Sequence, residues 1–161
     1  MKEIIIYTDG SCHTQLKVGA WASIILIEGD EILLKDYELD TTHNRMELLA
    51  VIKAFEFIEK EKFEYDSIVL KSDSQYVVEI ERRMQKLKEN NFITKKGTEI
   101  QNVDLVKKLI SYIEKFPVKF IKVKAHQKKT SERNINIEVD KISRKIVRTY
   151  ILNCSNNSEY R

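Results

Sequence analysis

The sequence predicts a mixed α/β domain with one sheet that is part antiparallel and part parallel, and three observations lead there. Two apolar runs flank a tight turn near the start, which implies an antiparallel hairpin. From residue 44 onward, helical and strand patterns alternate, which implies parallel strands joined by helical crossovers. The 161 residues hold one proline and four glycines, so no linker divides them. A chain of this size buries about 70% of its unfolded surface and needs neither disulfide nor structural metal. With 42% hydrophobic and 33% charged residues, collagen-like, low-complexity and wholly disordered classes are excluded.

Taken in order, EIIIYT at 3–8 is a buried strand that stops at the turn-forming Asp9-Gly10-Ser11. Val18 to Ile27 and Ile32 to Leu39 are the hairpin strands around Glu28-Gly29-Asp30. From Asn44, the residues Met46, Leu49, Ala50, Ile52, Ala54, Phe55 and Ile58 recur at helical spacing. Ser67 to Lys71 is a strand, and Asp73-Ser74 then introduces a helix over Gln75 to Lys88. Residues 89–100 form a polar loop. Asn102 is placed to cap a helix from Val103 to Phe116, which Pro117 ends. Val118 to Val123 alternates as a half-exposed strand. A last helix starts near Ile135 and runs towards Tyr150, and residues 151–161 form a polar tail, frayed from Asn153, behind a domain spanning 1–150.

Charge divides the chain more sharply than its overall +3 suggests. Up to Asp66 there are seven basic and fourteen acidic residues; beyond it there are twenty-one and eleven. A basic second half favours a polyanionic partner, and an acidic first half can hold cations or form a solvated surface. Two cysteines, Cys12 and Cys154, make no disulfide framework, and the N-terminal apolar run is too short for a signal or a spanning helix. A cytoplasmic protein without membrane attachment is expected, acting as a monomer with no obligate protein partner.

Four acids occupy informative places. Asp9 and Asp73 each follow a strand, Glu47 lies in the first turn of a helix, and Asp140 lies within the last one. Ligands of open α/β sheets bind in crevices at strand ends, where loops bring acids together. Carboxylates converging there raise one another's proton affinity unless a divalent cation compensates, and Mg²⁺ suits an all-oxygen set. Each acid also has an ordinary use. Asp9 suits a turn, Glu47 can cap a helix three residues after Asn44, Asp73 can start a helix, and Asp140 can pair with Arg144 at i+4.

Together, YTDGSC (7–12), TTHNRMELLAVIKAF (41–55), SDSQYV (72–77), VKAHQ (123–127) and NIEVD (136–140) resemble the type-1 ribonuclease H family, in the family's order and over most of residues 3–148. The resemblance implies a ribonuclease H-like fold, a mixed five-stranded sheet flanked by helices on both sides. It places the family's catalytic, metal-holding carboxylates on Asp9, Glu47, Asp73 and Asp140. The reaction implied is endonucleolytic hydrolysis of the RNA strand of an RNA–DNA hybrid, with 5′-phosphate and 3′-hydroxyl products. Two Mg²⁺ ions per site are implied, with Mn²⁺ as a substitute. Asp9 would bridge the ions, Asp73 and Asp140 would hold the water side, and Glu47 the leaving-group side. His126 matches the family's catalytic histidine, a group able to relay a proton or help product leave.

Hybrid recognition requires reading 2′-hydroxyls on one strand and a deoxy backbone on the other. The resemblance assigns the RNA side to Gly10, Ser11, His43, Asn44 and Gln75. Thr42 and the Thr41 beside it are candidates for a phosphate pocket on the DNA side, with hydroxyls that satisfy a turn as the alternative. Arg82 to Lys96 carries six basic residues against one Glu, and by resemblance is a basic protrusion that grips DNA phosphates through Lys86, Lys88, Lys95 and Lys96. A solvated helix face is the alternative use of those lysines. Trp21, Phe55, Phe57 and Phe120 are read as core.

The sequence departs from the family where His43 replaces an Asn, where the protrusion lacks tryptophan, and where QKKTSERNI follows His126 without the usual glycine. A stand-alone domain is expected. The rival functions are a catalytically silent hybrid-binding module of the same fold, and a related DNA nuclease of the integrase or resolvase type.

Overall fold

The computed structural model describes residues 2–125 and 127–159. Its elements are β1 (Glu3–His13), β2 (Val18–Ile27), β3 (Asp30–Leu39), α1 (His43–Glu61), β4 (Ser67–Ser72), α2 (Gln75–Glu89), α3 (Val103–Lys115), β5 (Val118–Lys122) and α4 (Ile135–Glu159). The sheet order is β3-β2-β1-β4-β5. β1 pairs antiparallel with β2 and β2 with β3, while β1–β4 and β4–β5 are parallel. This is the mixed five-stranded sheet that the sequence predicts.

Glu28 and Gly29 both have positive φ, 47° and 85°, and join β2 to β3 as a two-residue loop between the paired Ile27 and Asp30. Such a loop follows the right-handed strand twist, and glycine supplies half of it without strain. Alternation along β1 then sorts its residues by face. Ile4 and Ile6 are fully buried with Leu48, Ile52 and Phe55 of α1, in a core that also takes in Leu109 of α3 and Val77 of α2. Tyr7 lies on the opposite face, where Val139 of α4 packs with Ala22 and Ile24. Helices therefore cover both faces of the sheet, with α4 alone on one of them among the described residues.

Four local readings of the sequence need correction. β1 does not stop at Asp9-Gly10-Ser11 but continues to His13, with Asp9, Gly10 and Ser11 paired to Ala22, Trp21 and Ala20. Weak strand formers stay extended there because β2 offers a full ladder, and pairing overrides propensity. The cap of α1 is Thr42, whose side chain accepts from the Arg45 amide at 3.2 Å, so neither Asn44 nor Glu47 is needed for capping. Asn102 occupies the cap position of α3 in a left-handed conformation (φ 56°) without a capping bond; its amide donates to the Tyr76 hydroxyl at 3.4 Å. Finally, α4 runs past Tyr150 to Glu159, so most of the expected tail is helical.

The ends of α1 and α3 are tied by charge as well as by packing. Arg45 makes a two-pronged bond to Asp104 (3.2 and 2.9 Å), Lys108 meets Glu56, and Lys115 meets Glu59. A forked guanidinium–carboxylate pair fixes geometry more than stability when it is exposed. Arg45, part of the TTHNRMEL motif, thus holds in place the helix that carries Glu47.

Candidate functional site

Thr8 pairs with Ser72 across the parallel strands β1 and β4, so Asp9, still in β1, and Asp73, just past the end of β4, follow side by side at the centre of the sheet. Glu47 projects from the second turn of α1 towards the same point. Carboxylate oxygens of Asp9, Glu47 and Asp73 lie within 4.8 Å of one another. Asp9 and Glu47 are 3% and 1% exposed, which is unusual for acids without a compensating cation. Asp140 lines the same open cleft, of about 730 Å³, but stands outside the tight trio, with Oδ1 accepting from Arg144 Nε at 3.0 Å.

Burial, then the charge of Glu47, and further the charges of Asp73 and Asp140, push Asp9 up to about 9; a hydrogen bond from Ser143 works in the opposite direction. Burial also raises Glu47, against a hydrogen bond from His43, whose Nε2 lies 3.2 Å from Oε1. That contact in turn raises His43. Glu47 Oε2 is buried with no hydrogen-bond partner among the described residues. An orphaned carboxylate oxygen beside two other acids is a donor set without its acceptor, and it fits an oxygen-seeking divalent cation. Asp9, Glu47 and Asp73 could hold such a cation through carboxylate oxygens.

Of the expected substrate contacts, Gly10, Ser11, His43, Asn44 and Gln75 line the cleft. Gly10 is there because nothing larger fits: a Cβ would stand 2.4 Å from the Glu47 amide nitrogen and 2.6 Å from the Met46 carbonyl carbon. This close approach of β1 to α1 brings Glu47 to Asp9. Gln75 donates to Glu79 at 2.5 Å, and Thr42 serves as the cap of α1. Lys86, Lys95 and Lys96 are exposed on α2 and the following loop, whereas Lys88 is engaged with Glu114 at 2.9 Å. His126 lies outside the described residues. Trp21 and Phe55 are buried, and Phe57 and Phe120 pack against the core.

Sequence reasoning missed several residues of the site. Arg144 and Arg148, one turn apart on α4, line the cleft beside the acids, as do His13 and Tyr76. Ser143, wholly buried, donates to Asp9 Oδ2 at 2.7 Å. The i+4 spacing of the two arginines carried a readable signal; nothing in the pattern marked the serine.

The model of the RNase H family matches residues 1–148. A ribonuclease H of Caldicellulosiruptor saccharolyticus is 34% identical over 150 residues, which cover 92% of this chain and 98% of that protein. One from Acetivibrio thermocellus is 35% identical over 145 residues, covering 89% and 93%. Among solved structures, LC9-RNase H1, described as a type 1 RNase H with the type 2 active-site motif, superposes with a TM-score of 0.75 at 21% identity. The match covers 91% of this chain and 72% of that one, and at that identity it speaks for the fold.

Proposed function

The chain belongs to the ribonuclease H family, and on that premise we propose that it is an endoribonuclease that hydrolyses the RNA strand of RNA–DNA hybrids, leaving 5′-phosphate and 3′-hydroxyl ends. The observation that carries this reading is the convergence of Asp9, Glu47 and Asp73 within 4.8 Å, with a buried Glu47 oxygen that has no hydrogen-bond partner among the described residues. Two Mg²⁺ ions, replaceable by Mn²⁺, would supply an activated water and charge stabilisation for the attacking and leaving oxygens. Asp9, Glu47, Asp73 and Asp140 would hold the ions, Asp73 and Asp140 towards the attacking water and Glu47 towards the leaving group, with Asp9 common to both.

The remaining residues orient the substrate. Gly10, Ser11, His43, Asn44 and Gln75 line the cleft and would meet 2′-hydroxyls of the RNA strand. His43 holds Glu47 with one ring nitrogen and takes the place of an amide side chain in the minor groove. Lys86, Lys95 and Lys96 supply sequence-independent attraction for the DNA phosphates, and Thr42 adds a hydroxyl at the start of α1. His126 serves as the proton relay or product-release group.

The test is cleavage of end-labelled hybrid, double-stranded RNA and double-stranded DNA, with Mg²⁺ or chelator, by the protein and its Asp73→Asn variant. Metal-dependent cutting confined to the RNA strand of the hybrid, and lost in the variant, is expected. Hybrid that is bound but never cut with either metal would overturn the enzyme reading in favour of a binding module. Cutting of duplex DNA would favour the DNA-nuclease reading.

A further inference from the structure

A serine within a helix usually spends its hydroxyl on the carbonyl three or four residues earlier. Ser143 has that option, with Oγ 3.1 Å from the Asp140 carbonyl, but the shorter contact, 2.7 Å, is to Asp9 Oδ2 on β1, 134 residues away. A hydroxyl has a single proton to give, and a carboxylate is the stronger acceptor. The bond is wholly buried and therefore unscreened by water. It tethers one oxygen of the central acid, which stops the carboxylate turning about its Cβ–Cγ bond. It also ties that acid to the turn of α4 that carries Asp140.

We infer that Ser143 is a positioning residue of the metal centre: its hydroxyl orients the Asp9 carboxylate towards Glu47 and Asp73 and sets the register of Asp140 against them. The inference rests on reading the acids as a metal centre. Partners in this outer layer commonly tune metal affinity through the ligand they hold. Ser23 offers a comparison within the same molecule. It is equally buried, in β2, and gives its hydroxyl to the Ala50 carbonyl at 2.5 Å rather than to an acid. Losing either hydroxyl removes one buried hydrogen bond, but only one of the two touches a ligand.

The experiment is calorimetric titration of Mg²⁺ into the full chain and its Ser143→Ala, Ser23→Ala and Asp73→Asn variants, each with a thermal melt. Ser143→Ala is expected to bind Mg²⁺ about tenfold more weakly, with a melting loss no larger than that of Ser23→Ala, which binds like the parent. Unchanged affinity in Ser143→Ala, or an equal loss in Ser23→Ala, would overturn the inference. If the parent binds Mg²⁺ and Asp73→Asn does not, that failure belongs to Ser143 alone. If the parent binds none, the metal reading itself falls and takes this one with it.

Discussion

Replacing Gly10 by Ala should separate stability from chemistry. The added Cβ would stand 2.4 Å from the Glu47 amide nitrogen and 2.6 Å from the Met46 carbonyl carbon, both main-chain atoms of α1. Ordinary contact begins near 3.4 Å, so β1 and α1 must part by about 1 Å, roughly the misplacement that costs about 100-fold in rate when reacting groups are held apart. Overpacking of this kind costs about 1–3 kcal/mol. For a domain of this size, that is a melting-point loss of about 2–12 °C. Gly19→Ala is the matched control, since its Cβ would meet Thr41 Cγ2 and the Met46 Cγ and Sδ atoms, side-chain ends that can give. The assays are differential scanning calorimetry and initial rates on an RNA–DNA hybrid at saturating Mg²⁺. Gly10→Ala is expected to lose about 100-fold in rate, and Gly19→Ala to melt lower with a rate near the parent's. A Gly10→Ala protein with the parent's rate and melting point would refute the claim that this close approach sets the Asp9–Glu47 spacing.

Other outcomes follow from the charges. With Asp9 pushed up to about 9, far above its unfolded range, the folded metal-free protein holds a proton that the unfolded chain has lost. Its stability should therefore fall as pH rises from about 4 towards 9, read as a declining melting point in chelator; a flat profile would contradict the burial argument. For the same reason, Mg²⁺ binding at pH 7 should release protons and tighten with pH, measured by titration in buffers of different ionisation enthalpy. Asp9→Asn should abolish cleavage yet raise the melting point in chelator, more at pH 9 than at pH 5, because a buried repulsive charge is gone; a lower melting point at pH 9 would count against it. Neutralising Lys86, Lys95 and Lys96 together should weaken hybrid binding and flatten its dependence on salt. Neutralising Lys88, already paired with Glu114, should change the salt slope less.

Much of the site was legible because its acids sit in dense motifs. TTHNRMEL and SDSQYV place Glu47 and Asp73 beside helix starts, and the apolar run before Asp9 places it on a strand. What escaped was set by partners distant in sequence. Asp9-Gly10-Ser11 reads as a turn from local chemistry alone, and only the ladder with β2 keeps it extended. Asn102 has the right residue type for a cap, but Tyr76 claims its side chain. Asp140 and Ser143 face different groups although one helical turn separates them: Arg144 holds the first and Asp9 the second. Local pattern cannot rank such competitors, because the distances that decide between them exist only after the sheet and α4 have met.

The packing of α4 across β1 also has a consequence in time. A ribosome adding about 5–20 residues per second makes Asp140 roughly 7–26 s after Asp9. Until then the nascent chain can pair β1 with β2 and β4, yet it lacks the helix that tethers Asp9 and supplies the fourth acid. A truncated product of translation would expose the sheet face that α4 covers and lack Asp140 in the cleft. The order of synthesis thereby leaves the tether on Asp9 to the last helix made.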